Sequence, residues 1–265
     1  MIEKIKLEEI GNKLSGSLVY DDLHKALYAT DASVYRKIPL AVAYPKDEKD
    51  LQILIEFATS NHLTLIPRTA GTSLAGQCVG DGIIVDVSKY FTNILAFDEL
   101  NKTITVEPGV VRDELNLFLK PFGLFFGPNT STSNRCMIGG MVGNNSSGST
   151  SIKYGVTRDK VLQIDGFLSD GTSVIFNELT SEEFKTKFEK IAASDRTVVL
   201  YESPHKIIKT LGQIVDYCGS ERPVTISREI SKKFEETLRG TASEVLAIVE
   251  ERGGLKGELV LCIGA

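Results

Sequence analysis

Residues 67–88, PRTAGTSLAGQCVGDGIIVDVS, crowd glycine, alanine and hydroxyl side chains between a short apolar run and a β-branched one. Gly71 and Gly76 allow positive φ and close backbone approach. Thr69, Thr72 and Ser73 add hydroxyls, so successive N–H groups can line a concavity for an anion, and phosphate is the natural guest. No Lys-Ser or Lys-Thr closes the stretch, so it is not a Walker A loop, and it lacks the G-x-G-x-x-G of a dinucleotide turn. Taken alone, it reads as a tight turn as readily as a ligand cradle.

The flanks place this loop between two strands. DEKDLQILIEFATSNH (47–62) opens with acids and sets Leu51, Leu54, Ile55 and Ala58 on one helical face. LTLIP (63–67) is then a strand that delivers the loop, and GIIVDVS (82–88) is the strand that closes it. Upstream, DDLHKALYA has helical spacing and PLAVAYP is a strand closed by Pro45. Downstream, ILAFDELNKTITVEPG is a hairpin, VVRDELNLFLKPFG a helix ended by Pro121 and Gly123, and VLQIDGFLS with TSVIF a second hairpin around SDGT. The arrangement is α+β.

Composition narrows the function classes. The chain has 265 residues, 42% of them hydrophobic, enough for one large domain or two small ones. A net charge of -5 argues against general nucleic-acid binding by field alone. Cys78, Cys136, Cys218 and Cys262 form no C-x-x-C pair, which offers neither a zinc site nor a disulfide framework. The start, MIEKIKLEEIGNKL, is amphipathic without an apolar signal core, and no run is long enough to cross a bilayer. A cytoplasmic chain is expected.

A second stretch, GPNTSTSNRCMIGGMVGNNSSGSTSIKYGVTRDK (127–160), is dense in Gly, Asn, Ser and Thr, with Met137, Ile138, Met141 and Val142 as inward anchors. Small polar residues held this way suit a long ligand lying against backbone. Read in order with TDASVYRKIP, the opening loop and VEPGVV, and continued through VLQIDGFLSDGT, it resembles the FAD-linked oxidases. These have the flavin fold of vanillyl-alcohol oxidase type, and the resemblance is to their D-lactate and glycolate dehydrogenase branch. It covers about residues 15–178 and implies a two-lobed FAD-binding domain over 1–178, lacking its late elements.

The resemblance also implies a cofactor site. Pro67, Arg68, Thr69, Ala70, Gly71, Thr72 and Ser73 would wrap the FAD pyrophosphate, and Gly76 would let the next turn pass closely. Pro128, Asn129, Ser133, Gly139, Gly140, Gly143, Asn144, Ser146 and Gly148 would line the flavin and adenine parts of the groove, closed by Tyr154 and Gly155. Thr72 stands where some members carry a flavin-linked His, so FAD is expected to be non-covalent. Thr69 stands where the family usually has Gly, which is tolerable only if its φ is negative. In this family the isoalloxazine takes a hydride equivalent from a 2-hydroxy acid. No catalytic base is evident: His24 and His62 read as surface or cap residues, and a substrate lobe does not follow.

Residues 196–265 resemble something else, the C-terminal half of tetrapyrrole-methylase-class enzymes that methylate a ribose 2′-hydroxyl of 16S ribosomal RNA with S-adenosylmethionine. YESPHK, SREISKKFEE, RGT and GELVL carry that likeness, with Lys206 in place of the more usual Arg. The residues themselves read as an α/β half-domain rich in βαβ: strand TVVLY, helix HKIIKTLGQIVDYC, strand PVTIS, helix TASEVLAIVEER and strand ELVLCI. Tyr201, Glu202, Ser203, Pro204 and His205 form either a pocket wall or simply a strand-end turn capped by Ser203. Basic and acidic residues nearly balance across the tail, so charge lends RNA binding no support; RNA and S-adenosylmethionine enter only if this half is functional. Residues 179–195 read as a helical junction. The whole is a composite: an FAD-binding scaffold without complete catalytic machinery, or alternatively a methyltransferase fragment, or a non-catalytic chimera.

Overall fold

The computed structural model describes residues 4–178, 180–230 and 232–265, with the side chains of Ser181 and Tyr201 also outside the description. Ser231 of the SREISKKFEE motif and the Tyr201 side chain of YESPHK therefore lie outside it. The chain divides into two compact units, Met1–Asn177 and Glu178–Ala265.

The first unit opens with α1 (Lys4–Gly11), β1 (Ser17–Val19), α2 (Asp22–Leu27), β2 (Ala41–Tyr44), α3 (Glu48–Ser60), β3 (Leu65–Arg68) and β4 (Ile83–Asp86). Its sheet has the order β1-β2-β4-β3; β2, β4 and β3 run parallel and β1 pairs antiparallel to β2. Parallel strands are covered on both faces, so Ala41, Val42 and Ala43 of β2 and Ile83, Ile84 and Val85 of β4 are all buried. One face packs Ala41, Ala43, Ile83 and Val85 on Leu54 of α3, while Val42, Ile66 and Ile84 form the core of the other. Asp47 caps α3, accepting from Asp50 N at 2.9 Å. The buried Asp50 carboxylate accepts in turn from the N–H groups of Ser15, Gly16 and Lys46 at 2.8, 2.9 and 2.8 Å, which satisfies its charge and ties the entry to β1.

Further along are β5 (Ile94–Asp98), β6 (Thr103–Val106), α4 (Arg112–Leu119), α5 (Ile138–Gly143), α6 (Ser151–Tyr154), β7 (Gln163–Phe167) and β8 (Ser173–Asn177). Both expected hairpins form, β5 with β6 and β7 with β8. Leu115 and Leu119 of α4 pack with Val110 against Ile94, Phe97, Ile104 and Val106.

The second unit comprises α7 (Ser181–Ala192), β9 (Val198–Glu202), α8 (Ile207–Cys218), β10 (Pro223–Arg228), β11 (Glu236–Thr241), α9 (Ala242–Glu251) and β12 (Leu259–Ile263). Its sheet, β11-β10-β12-β9, is antiparallel at every pairing, which departs from the adjacent parallel strands that βαβ units imply. β12 inserts between β9 and β10, making a split βαββαβ pattern. β11, formed by ETLRGT, was not foreseen: Leu238 is its one large apolar residue, so no alternation marks it. The segment read as a junction is the capped helix α7, whose Phe188 is buried in this unit's core with Ile207, Leu211, Ile214 and Leu261. Arg222 closes that helix by donating to the carbonyls of Ile191, Ala192 and Ser194. No helix among the described residues is long and apolar enough to cross a membrane.

Candidate cofactor site

The 69–82 loop leaves the C-terminal end of β3, the edge at which open parallel sheets place ligands, and crosses to the opposite edge to enter β4. Gly71 has φ +64° and Gly76 φ +72°. Thr69 is not among the positive-φ residues, so the departure from the family's usual glycine carries no backbone strain. Among the described residues, the N–H groups of residues 70–74 donate to no protein acceptor. A run of free N–H groups around a left-handed glycine, in a half-buried loop, is the donor set an anion such as a diphosphate requires.

Side chains at the strand ends brace this loop. Arg68 Nη1 donates to the Thr30 carbonyl at 2.8 Å, and the guanidinium lies 5.0 Å from the Tyr28 ring centroid. The Tyr28 hydroxyl donates to the buried Asp86 carboxylate at 2.5 Å, and Ser88 N donates to the other oxygen at 2.8 Å. Burial, with the Asp86 hydrogen bond second, pushes the Tyr28 phenol well above its ordinary value and keeps it protonated as a donor. Pro67 is exposed in β3 opposite Val85. Ser73 Oγ donates to Gln77 Oε1 and accepts from Ala75 N, while Ala70 and Thr72 make no side-chain hydrogen bond among the described residues.

The second glycine-rich stretch meets the first. A Cβ on Gly140 would fall 2.5 Å from Thr69 Oγ1, and Gln77 Nε2 donates to Asn144 Oδ1 at 2.8 Å. Gly139 packs on Pro108, where a Cβ would lie 2.4 Å from the proline Cβ. The N–H groups of Ile138 and Gly139, the first two of α5, donate to the carbonyls of Val110 and Pro108 and are committed to the fold. Gly143 has open space around it.

Other residues of the expected site gather in a second cluster. A Cβ on Gly148 would come 1.3 Å from the Asn129 carbonyl oxygen, and one on Gly127 would come 2.7 Å from Tyr154 Cβ. Thr150 Oγ1 donates to the Gly127 carbonyl at 2.8 Å, and Gly155 ends α6 with φ +78°. Ser146 presents its carbonyl to Thr157 N and Oγ1. Two residues are engaged elsewhere: Ser133 Oγ donates to Asp113 Oδ2 at 3.0 Å, and buried Pro128 gives its carbonyl to Arg112 Nε at 3.1 Å. Met141 is fully buried, whereas Met137, Ile138 and Val142 are half-buried. Sequence reasoning missed Tyr28 and Asp86; an acid inside the apolar IIVDV run was the available signal.

These features amount to a half-buried glycine loop with unpaired N–H groups at the C-terminal end of β3, meeting a second glycine-rich stretch. Residues 39–177 match the family described as FAD binding domain, and the chain belongs to that family of FAD-linked oxidases. It is 34% identical over 214 residues to a D-2-hydroxyglutarate dehydrogenase of Pseudomonas putida, covering 79% of this chain and 21% of the relative. It is 33% identical over 163 residues to glycolate oxidase subunit GlcD of Bacillus subtilis, covering 60% of this chain and 35% of that one. The chain thus spans about a fifth of the length of the D-2-hydroxyglutarate dehydrogenases it matches. Among solved structures it shares its fold with alkyldihydroxyacetonephosphate synthase (TM-score 0.60, 15% identity, 99% of this chain and 59% of that one). It also shares it with 6-hydroxy-D-nicotine oxidase from Arthrobacter nicotinovorans (TM-score 0.56, 15% identity, 95% and 55%).

Proposed function

We propose that the first unit binds FAD non-covalently and that, within a whole protein of this kind, it serves oxidation of a 2-hydroxy acid. The observation that carries the reading is the set of free N–H groups at residues 70–74, backed by the contact of Thr69 with Gly140. Residues 68–76 would hold the diphosphate, and the 139–148 and 127–129 segments the flanking parts of the cofactor. FAD, when bound, supplies the acceptor for a hydride equivalent; this chain's residues bind and orient it. Thr72 offers a hydroxyl at the position of the linked histidine, so attachment is reversible. None of the three histidines is assigned as the base: His24 is paired with Asp21 at 2.7 Å, His62 is exposed just after α3, and His205 belongs to the second unit.

Titration of the purified chain with FAD, followed by flavin absorbance and fluorescence, tests this proposal. Saturable binding, with all flavin released on denaturation, is the expected result. Flavin retained on the denatured chain refutes the assignment of Thr72, and absence of binding refutes the function.

A second reading concerns residues 196–265 alone. The motifs YESPHK, SREISKKFEE, RGT and GELVL support descent from an rRNA ribose 2′-O-methyltransferase, in a composite chain. In that reading Glu202, which accepts from Thr210 Oγ1 at 2.5 Å and Ser203 N at 2.6 Å, stiffens the turn before α8 as one wall of a pocket. Calorimetric titration with S-adenosylmethionine tests it, and no heat of binding overturns it.

A further inference from the structure

The stretch TDASVYRKIP (30–39) lies outside both glycine-rich stretches, yet it holds the first of them at several points. Thr30 accepts from Arg68 Nη1 where the loop begins, and Ala32 N donates to the Gly71 carbonyl at 3.1 Å. At the loop's far end, Cys78 Sγ donates to Asp31 Oδ2 at 3.6 Å. The Tyr35 ring lies against Gly76, where a Cβ would fall 2.6 Å from ring carbon Cδ2. The stretch is itself stiff. Asp31 Oδ1 accepts from Ser33 N at 2.8 Å, Ser33 Oγ accepts from Tyr35 N at 3.1 Å, and Thr30 pairs with Arg36 in an antiparallel bridge. Burial works to raise the Asp31 pKa, but the Ser33 and Cys78 hydrogen bonds and the Arg68 charge outweigh it and hold the carboxylate ionised.

N–H groups held in a half-buried loop without an acceptor are unfavourable until an anion arrives, and a loop left to itself relaxes away from that form. Bracing the loop at both ends removes part of this ordering cost from the binding step. We propose that Asp31 and Tyr35 are positioning residues that hold the 69–78 loop in its anion-ready conformation, acting on the diphosphate that FAD shares with ADP. The proposal rests on the FAD reading of the same loop.

The test uses the full chain, with FAD binding followed by fluorescence and ADP binding by competition against FAD. Asp31→Ala is expected to weaken FAD and ADP by the same factor, about tenfold, the scale of one lost charge-assisted hydrogen bond. Asp31→Asn retains an oxygen for Ser33 N but turns an uncharged amide nitrogen toward Cys78 Sγ, and is expected to recover part of both losses. Tyr35 is 58% exposed, so Tyr35→Ala leaves no buried hole, and its expected loss is about threefold for each ligand. It decides the matter should Asp31→Ala fail to fold by circular dichroism. Unchanged ADP affinity in the alanine variants overturns the assignment, as does an FAD loss far exceeding the ADP loss, or failure of Asn to rescue. A wild-type chain that binds neither ligand overturns the FAD reading itself.

Discussion

Gly71→Val isolates the conformation of the anion loop from its chemistry. Gly71 has φ +64°, and a Cβ there would lie 2.5 Å from Arg68 Nη2 and 2.9 Å from its Cζ. A side chain in the left-handed region costs about 1–2 kcal/mol, most for a β-branched one. The Arg68 guanidinium must also leave its place on the Thr30 carbonyl, an exposed bond worth about 1 kcal/mol at most. The variant loop escapes both costs by relaxing out of the cradle, and FAD binding must reverse that relaxation. Apparent affinity falls with the competent fraction, so about 2–3 kcal/mol becomes a roughly 30- to 150-fold weaker Kd. Gly123→Val is the matched control. Its φ is +67°, a Cβ there meets nothing within 4 Å, and it lies outside both loops, so it should lower stability while leaving the FAD Kd unchanged. Fluorescence titration of FAD into each variant reads the outcome. Gly71→Val binding within threefold of wild type, with its circular dichroism intact, refutes the claim that this loop holds the diphosphate through a left-handed glycine.

The other expectations concern the second unit. Gly212 lies inside α8 with open space at its Cβ position, so Gly212→Ala should stabilise the unit by about 0.5–1 kcal/mol, read as a rise of a few degrees in its melting temperature. Hydrogen bonds from Arg252 and then Arg228, both at 2.8 Å, hold the Glu236 carboxyl below its ordinary value. A depressed folded-state pKa gives stability that is present above the unfolded value and lost as pH falls through the folded one. Urea midpoints of the unit should therefore drop in acid, and Glu236→Gln should flatten that limb; an unchanged acid slope counts against the pair. His205→Ala should leave FAD affinity within about twofold, since His205 belongs to the other compact unit and, among the described residues, shares no hydrogen-bond partner with residues 69–78. A tenfold loss in titration would tie the second unit to the flavin site.

What the sequence discloses here depends on where each interaction keeps its information. β2 and β4 are buried on both faces and read as continuous apolar runs, and α3 carries its cap and apolar stripe in its own residues. β11 was illegible because Leu238 is its one large apolar residue, which leaves no alternation to read. Part of the bracing of the 69–78 loop is hidden because two of its ties run through backbone carbonyls, those of Thr30 and Gly71, which are the same whatever the side chain. The meeting of the two glycine-rich stretches was legible only through the family, because Gln77 and Asn144 stand 67 residues apart. Thr69 shows what the resemblance alone left open. Its Oγ1 occupies the space over Gly140, so the closeness of the two loops depends on the absence of a Cβ at 140 and tolerates one at 69. The need for a small residue at this contact therefore lies on α5, where a Cβ at position 140 would require the Thr69 hydroxyl to turn away.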